Sequence, residues 1–122
     1  MEWKLDDNRP IWMQLQESLT RRILSGYYHA GEKLPSVRDL ASEAGVNPNT
    51  MQRALAALDT VGLTVTNRTM GRTVTEDEGI LEGMRTELAE GIIEEFYKSA
   101  SELGYSREQA IELLKKGRKT DE

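Results

Sequence analysis

The chain has 122 residues, which suits one ordinary domain or a small domain with an appendage and leaves no room for a large second one. It lacks cysteine, which excludes a disulfide framework and thiolate metal sites. With no apolar run near the about 18 residues of a membrane span and no signal-peptide pattern at its start, the chain reads as a soluble, cytoplasmic protein that does not engage a membrane. The formal charge of −5 is unevenly spread, because residues 1–75 carry nine basic and eight acidic side chains while residues 76–122 carry seven and thirteen. The acidity belongs to the tail.

Near the start, Trp3 and Leu5 alternate with polar residues, as a short edge strand would. Residues 10–25 then place Ile11, Leu15, Leu19 and Ile23 at steps of four with Trp12 beside them, the pattern of a helix with one buried face. Gly26 ends that helix, and Tyr27-Tyr28-His29-Ala30-Gly31 reads as a turn.

The densest boundary signals lie in residues 34–50. Ser36 is placed to cap a helix, and Asp39, three residues on, to return the bond as a capping box. Val37, Leu40, Ala41 and Ala44 form one apolar stripe, and Gly45 supplies the helix-ending conformation. Asn47 caps the next helix and Pro48 occupies its first position, where no amide is needed. Met51, Ala54, Leu55, Leu58 and Val61 form its inward face, leaving Asn49, Thr50, Gln52, Arg53 and Ala56 outward. Two short helices joined by a tight turn lay one helix across a DNA backbone and press the next into the major groove, so this stretch points to a DNA-binding regulator.

Gly62 and Leu63-Thr64-Val65-Thr66 predict a strand, and Thr73-Val74-Thr75 its antiparallel return, around a loop at 67–72. From about residue 77, Leu81, Met84, Leu88, Ile92, Phe96, Ala100 and Leu103 make a helical stripe too long and too apolar to stand alone in water. Ser106-Arg107-Glu108-Gln109 is a further capping box, opening a last helix whose Ala110, Ile111 and Leu114 fold back across Gly104-Tyr105. One chain cannot bury both sides of such a hairpin, and a second copy is the natural cover.

Taken together, Pro10-Ile11-Trp12-Met13-Gln14-Leu15, Gly26-Tyr27, Gly31-Glu32-Lys33-Leu34-Pro35-Ser36-Val37-Arg38-Asp39-Leu40-Ala41, Arg53-Ala54, Leu58 and Gly62-Leu63 resemble the winged helix-turn-helix head of the GntR family of bacterial transcription regulators. Asn47-Pro48-Asn49-Thr50 with Arg53-Ala54 and a short helical tail is similar to its YtrA-like subfamily. The resemblance implies an α+β, mostly helical fold. Its N-terminal winged helix-turn-helix would span residues 1–76, and its C-terminal two-helix dimerisation hairpin residues 77–117, before a frayed tail at 118–122. It further implies a sequence-specific regulator, a homodimeric repressor on an inverted-repeat operator of double-stranded DNA, of a kind that often controls transporter genes.

On this reading, Lys33, Ser36 and Arg38 set the register on phosphates, while Asn49, Thr50, Gln52 and Arg53 face the bases, with Asn47 beside them as cap and DNA neighbour. For Arg38 the structural alternative is an ion pair with Glu43 or Asp39. The loop at 67–72 becomes the wing, whose Arg68, Gly71 and Arg72 reach phosphates or an adjacent minor groove. Leu81, Met84, Leu88, Ile92, Phe96, Leu103, Ile111 and Leu114 are the expected dimer contacts. An unidentified small-molecule effector would have to sit at the dimer seam or between head and tail.

The alternative class is a winged-helix protein-interaction module without specific DNA binding, consistent with the near-neutral head. Catalysis and metal binding are not expected: His29 is the only histidine, and Glu94-Glu95 reads as part of a solvated acidic face. No cofactor is implied.

Overall fold

The structure, a computed structural model, describes residues 2–117. The elements run α1 (Ile11–Leu24), α2 (Val37–Ala44), α3 (Pro48–Thr60), β1 (Thr64–Asn67), β2 (Gly71–Val74), α4 (Glu78–Glu102) and α5 (Arg107–Lys116). They form two compact units, one up to Met84 and one from Arg85 onward. The frayed end expected at 118–122 lies outside the described residues.

The first unit is a winged helix-turn-helix. Leu15, Leu19 and Ile23 of α1, Leu40 and Ala41 of α2, and Met51, Ala54, Leu55 and Leu58 of α3 are all buried in one core. Ser36 accepts the Asp39 amide at 3.1 Å, but among the described hydrogen bonds this is only half of the expected capping box. An aspartate is one methylene shorter than the glutamate or glutamine that ordinarily returns the bond. Gly45, at φ 72°, ends α2 in the left-handed region that a side chain rarely tolerates. Asn47 accepts the Asn49 amide at 2.7 Å and opens α3 with Pro48 at its first turn.

Val61 departs from its expected place on the inward face of α3 and is 43% exposed. Helical geometry stops at Thr60, so Val61, at φ −90° and ψ 1°, no longer follows the stripe.

The sheet is one antiparallel hairpin in which Thr64 pairs with Val74, Thr66 with Arg72 and Asn67 with Gly71. A third segment lies along its edge. The Gly31 amide donates to Val74 O, the Val74 amide to Glu32 O, and the Leu34 amide to Arg72 O, each at 2.9 Å, with Lys33 bridging Thr73. This turn-like stretch carries no alternation to announce it.

Residues 2–9 form no strand, in contrast to the edge strand suggested by Trp3 and Leu5. Side chains hold the segment instead. Buried Gln14 accepts from the Asp6 amide and donates to the Asp6 and Arg9 carbonyls at 2.8–2.9 Å. Arg9 is anchored by two hydrogen bonds to Glu17, which lie at 2.8 and 2.9 Å and hold the Glu17 carboxyl below its ordinary pKa.

Asp77 caps α4, and the first turns of this helix complete the head's core: Leu81 is 6% exposed, with Ile80 and Met84 packed beside it. Leu81 is thus taken up by packing within the first unit, and Met84 is partly so. The stripe is continuous in sequence, but its first residues meet the chain's own core.

In the second unit, small Ala100 and Ala110 are buried where α4 and α5 fold back through Leu103–Tyr105. Both halves of the Ser106–Gln109 capping box form, at 2.9 and 3.1 Å. Arg107 lies 4.3 Å from the Tyr97 ring centroid and pairs with Glu94 at 3.2 Å. Leu88, Ile92, Leu103, Ile111 and Leu114 are exposed, and Phe96 is half-buried. No helix among the described residues is long and apolar enough to cross a membrane.

Candidate nucleic-acid interface

The helix α3 has two chemically distinct sides. Met51, Ala54, Leu55 and Leu58 face the core, whereas Asn49, Gln52, Arg53 and Ala56 are exposed and Thr50 is partly so. A polar, donor-rich helix face held rigid by a buried apolar one is suited to entering a major groove. Asn47 is exposed too, but its carbonyl oxygen is occupied by the cap.

Arg53 carries a contact the sequence did not announce: its guanidinium carbon lies 4.2 Å from the centroid of the Trp12 ring on α1. The signal was the pairing of an exposed arginine with an aromatic at the start of another helix, which chain order alone does not bring together.

Ser36 and Arg38 at the start of α2 are exposed, as is Lys33 just before it. Arg38 forms no ion pair with any described residue. Glu43, its sequence-level alternative partner, is engaged by Arg22 at 3.1 Å and by the Trp3 indole at 3.0 Å. Lys33, Ser36, Gly71 and Arg72 line a cleft of about 500 Å³ between the start of α2 and the sheet.

At the hairpin tip, Asn67 accepts from the Thr69 amide, the Thr69 hydroxyl and the Met70 amide, a side-chain-stabilised turn. Arg68 projects exposed from this tip, and Gly71, at φ 86°, closes it. Arg72 differs from the expectation of an outward loop residue. The loop is shorter than predicted, Arg72 lies in β2, and strand alternation turns it to the same side as buried Val74. There its Nε and one Nη donate to Asp59 at 3.1 and 2.9 Å.

Asp59 also accepts the hydroxyls of Thr64 and Thr66 from β1, so one carboxylate near the end of α3 gathers both strands. Burial pushes its pKa up, but the hydrogen bonds from Arg72 and Thr64 outweigh burial and hold it below the ordinary value. Thr64 takes the inward position where the apolar alternation would have favoured Val65, which is 51% exposed.

A second arginine is wholly internal. Arg22 is 1% exposed, stacks 4.0 Å from the Trp3 ring centroid and donates to the Tyr28 hydroxyl at 2.9 Å. Burial raises the Tyr28 phenol's pKa despite the neighbouring guanidinium, which keeps it neutral. His29 is exposed and meets Glu32 at 3.2 Å, and no described group of three or more His, Cys, Asp or Glu side chains is placed to hold a metal.

Residues 13–74 match the family described as bacterial regulatory proteins, gntR family. The chain is 31% identical over 115 residues to the HTH-type transcriptional regulator YhcF of Bacillus subtilis, spanning 94% of this chain and 95% of that protein. It is 32% identical over 121 residues to the HTH-type transcriptional repressor YtrA of the same organism, spanning 92% of each. A solved GntR family transcriptional regulator from Listeria monocytogenes superposes with a TM-score of 0.85 at 38% identity, over 93% of this chain and all of that one.

Fold, exposed reading helix and wing define a DNA-binding transcription regulator, and the chain belongs to the GntR family. Within that family it is a member of the YtrA-like subfamily.

Proposed function

We propose that the protein is a homodimeric transcriptional repressor that places two α3 helices in successive major grooves of an inverted-repeat operator, about one helical turn apart. The carrying observation is the two-sided character of α3, whose core face is buried while Asn49, Gln52 and Arg53 are exposed. Asn49, Thr50, Gln52 and Arg53 read base edges. Lys33, Ser36, Arg38 and the tip residue Arg68 contact phosphates and set register, with Gly71 allowing close approach. Asn47 acts mainly as the cap, and Arg72 acts through Asp59 by orienting the wing.

Dimerisation falls to the second unit, through Leu88, Ile92, Phe96, Leu103, Ile111 and Leu114, whose exposure in the single chain supports the assignment. Repression rests on the likeness to a relative named as a repressor, and control of transporter genes on the subfamily resemblance. The protein works where the DNA is, in the cytoplasm.

Fluorescence anisotropy tests this reading, with labelled duplex from immediately upstream of the protein's own gene beside random DNA at two salt concentrations. Tight, salt-sensitive binding to the upstream duplex supports it. Equal, weak and salt-insensitive binding to both would favour a winged-helix protein-interaction module.

A further inference from the structure

Each of three arginines in the head is held differently. Arg22 is enclosed by Trp3, Tyr28 and Glu43, and Arg72 is fastened to Asp59. The Arg53 guanidinium carbon instead lies over the Trp12 ring, 4.2 Å from its centroid, and the side chain has no hydrogen-bond or ion-pair partner among the described residues.

We propose that Trp12 is a platform that presets Arg53 for base reading, making it a specificity-positioning residue on a helix that does not itself enter the groove. The proposal rests on the reading of Arg53 as a base-edge contact.

A guanidinium offers two orthogonal surfaces. An aromatic face attracts a guanidinium through its π cloud, perpendicular to the plane of the cation. The N–H donors lie in that plane, and they are what bidentate recognition of guanine O6 and N7 uses. Stacking and base reading therefore do not compete, and Arg53 can make both contacts at once. A free arginine on a helix surface samples many rotamers, and one already stacked gives up less freedom when it meets a base. Trp12 is itself half-buried at the start of α1, whose Leu15 and Leu19 are locked in the core, so the platform is fixed before DNA arrives.

The test uses the full chain and a labelled duplex enriched from a random-sequence pool, beside a scrambled duplex. Trp12→Leu keeps the site apolar, with a smaller side chain, and removes the aromatic face. It is expected to lower the preference for the enriched duplex by about two- to fivefold, with Trp12→Tyr restoring most of the loss. In an Arg53→Ala background, Trp12→Leu is expected to cost nothing further.

An undiminished cost in that background, or an equal loss on both duplexes, overturns the platform. Reduced preference in Arg53→Ala with none in Trp12→Leu overturns the platform alone. A pool that fails to enrich, or an Arg53→Ala variant with unchanged preference, overturns the base-reading assignment and the platform with it. If Trp12→Leu is unfolded by circular dichroism, Trp12→Phe carries the same cycle, with a smaller loss that must again vanish without Arg53.

Discussion

Arg72 of β2 holds Asp59 of α3 by two hydrogen bonds, at 3.1 and 2.9 Å, and so ties the wing directly to the reading helix. Thr64 and Thr66 complete the same carboxylate from β1. Both strands of the hairpin are thereby linked to α3 through one carboxylate, in addition to their pairing with each other.

Arg72→Ala should destabilise the fold by about 1–2 kcal/mol, between the values for a charged hydrogen bond and for an exposed ion pair, since the pair is only partly buried. Urea denaturation measures this. A midpoint equal to that of the unmodified chain would show that the clamp contributes nothing.

The same cluster predicts a pH dependence. The Asp59 pKa is lower in the folded than in the unfolded chain, so its stabilising contribution is present above the ordinary aspartate value of about 4 and is lost as pH falls through the folded value. Urea midpoints taken from pH 7 down to pH 3 should fall for the unmodified chain and fall less steeply for Asp59→Asn. Parallel curves for the two proteins would contradict the assignment.

Trp3→Ala should remove the aromatic lid over Arg22 and the indole hydrogen bond to Glu43, lowering stability by about 1–2 kcal/mol. Thermal unfolding followed by circular dichroism reads the effect. Trp3→Phe, which keeps a ring, should recover part of it.

Arg38→Ala should weaken binding to operator and to random DNA by similar factors and reduce the slope of affinity against salt, as loss of a phosphate contact does. Arg53→Ala should cost about 1–3 kcal/mol on the operator and much less on random DNA. Identical patterns for the two variants in anisotropy titrations would refute this division of roles.

Ile92→Glu should convert a dimer to monomers, because a carboxylate at a position 66% exposed in the single chain leaves that chain's own packing intact but opposes a second copy. Analytical ultracentrifugation decides it. An unchanged sedimenting mass would remove Ile92 from the interface.

Local chemistry made much of this protein legible from residue order alone. Ser36, Gly45, Asn47 with Pro48, and the Ser106–Gln109 box each act within a few residues of themselves, so the helix boundaries and the helix-turn-helix follow from them directly. The buried faces of α1, α2 and α3 were legible for the same reason, since a 3.6-residue period is a local property. Chain folding decided the rest. Arg72 meets an acceptor thirteen residues away and Arg22 one twenty-one away, while Leu81 was drawn into the head's core. Whether an arginine is a clamp, a buried cation or a free reader depends on which partners three-dimensional packing brings to it, and no periodicity along the chain encodes that.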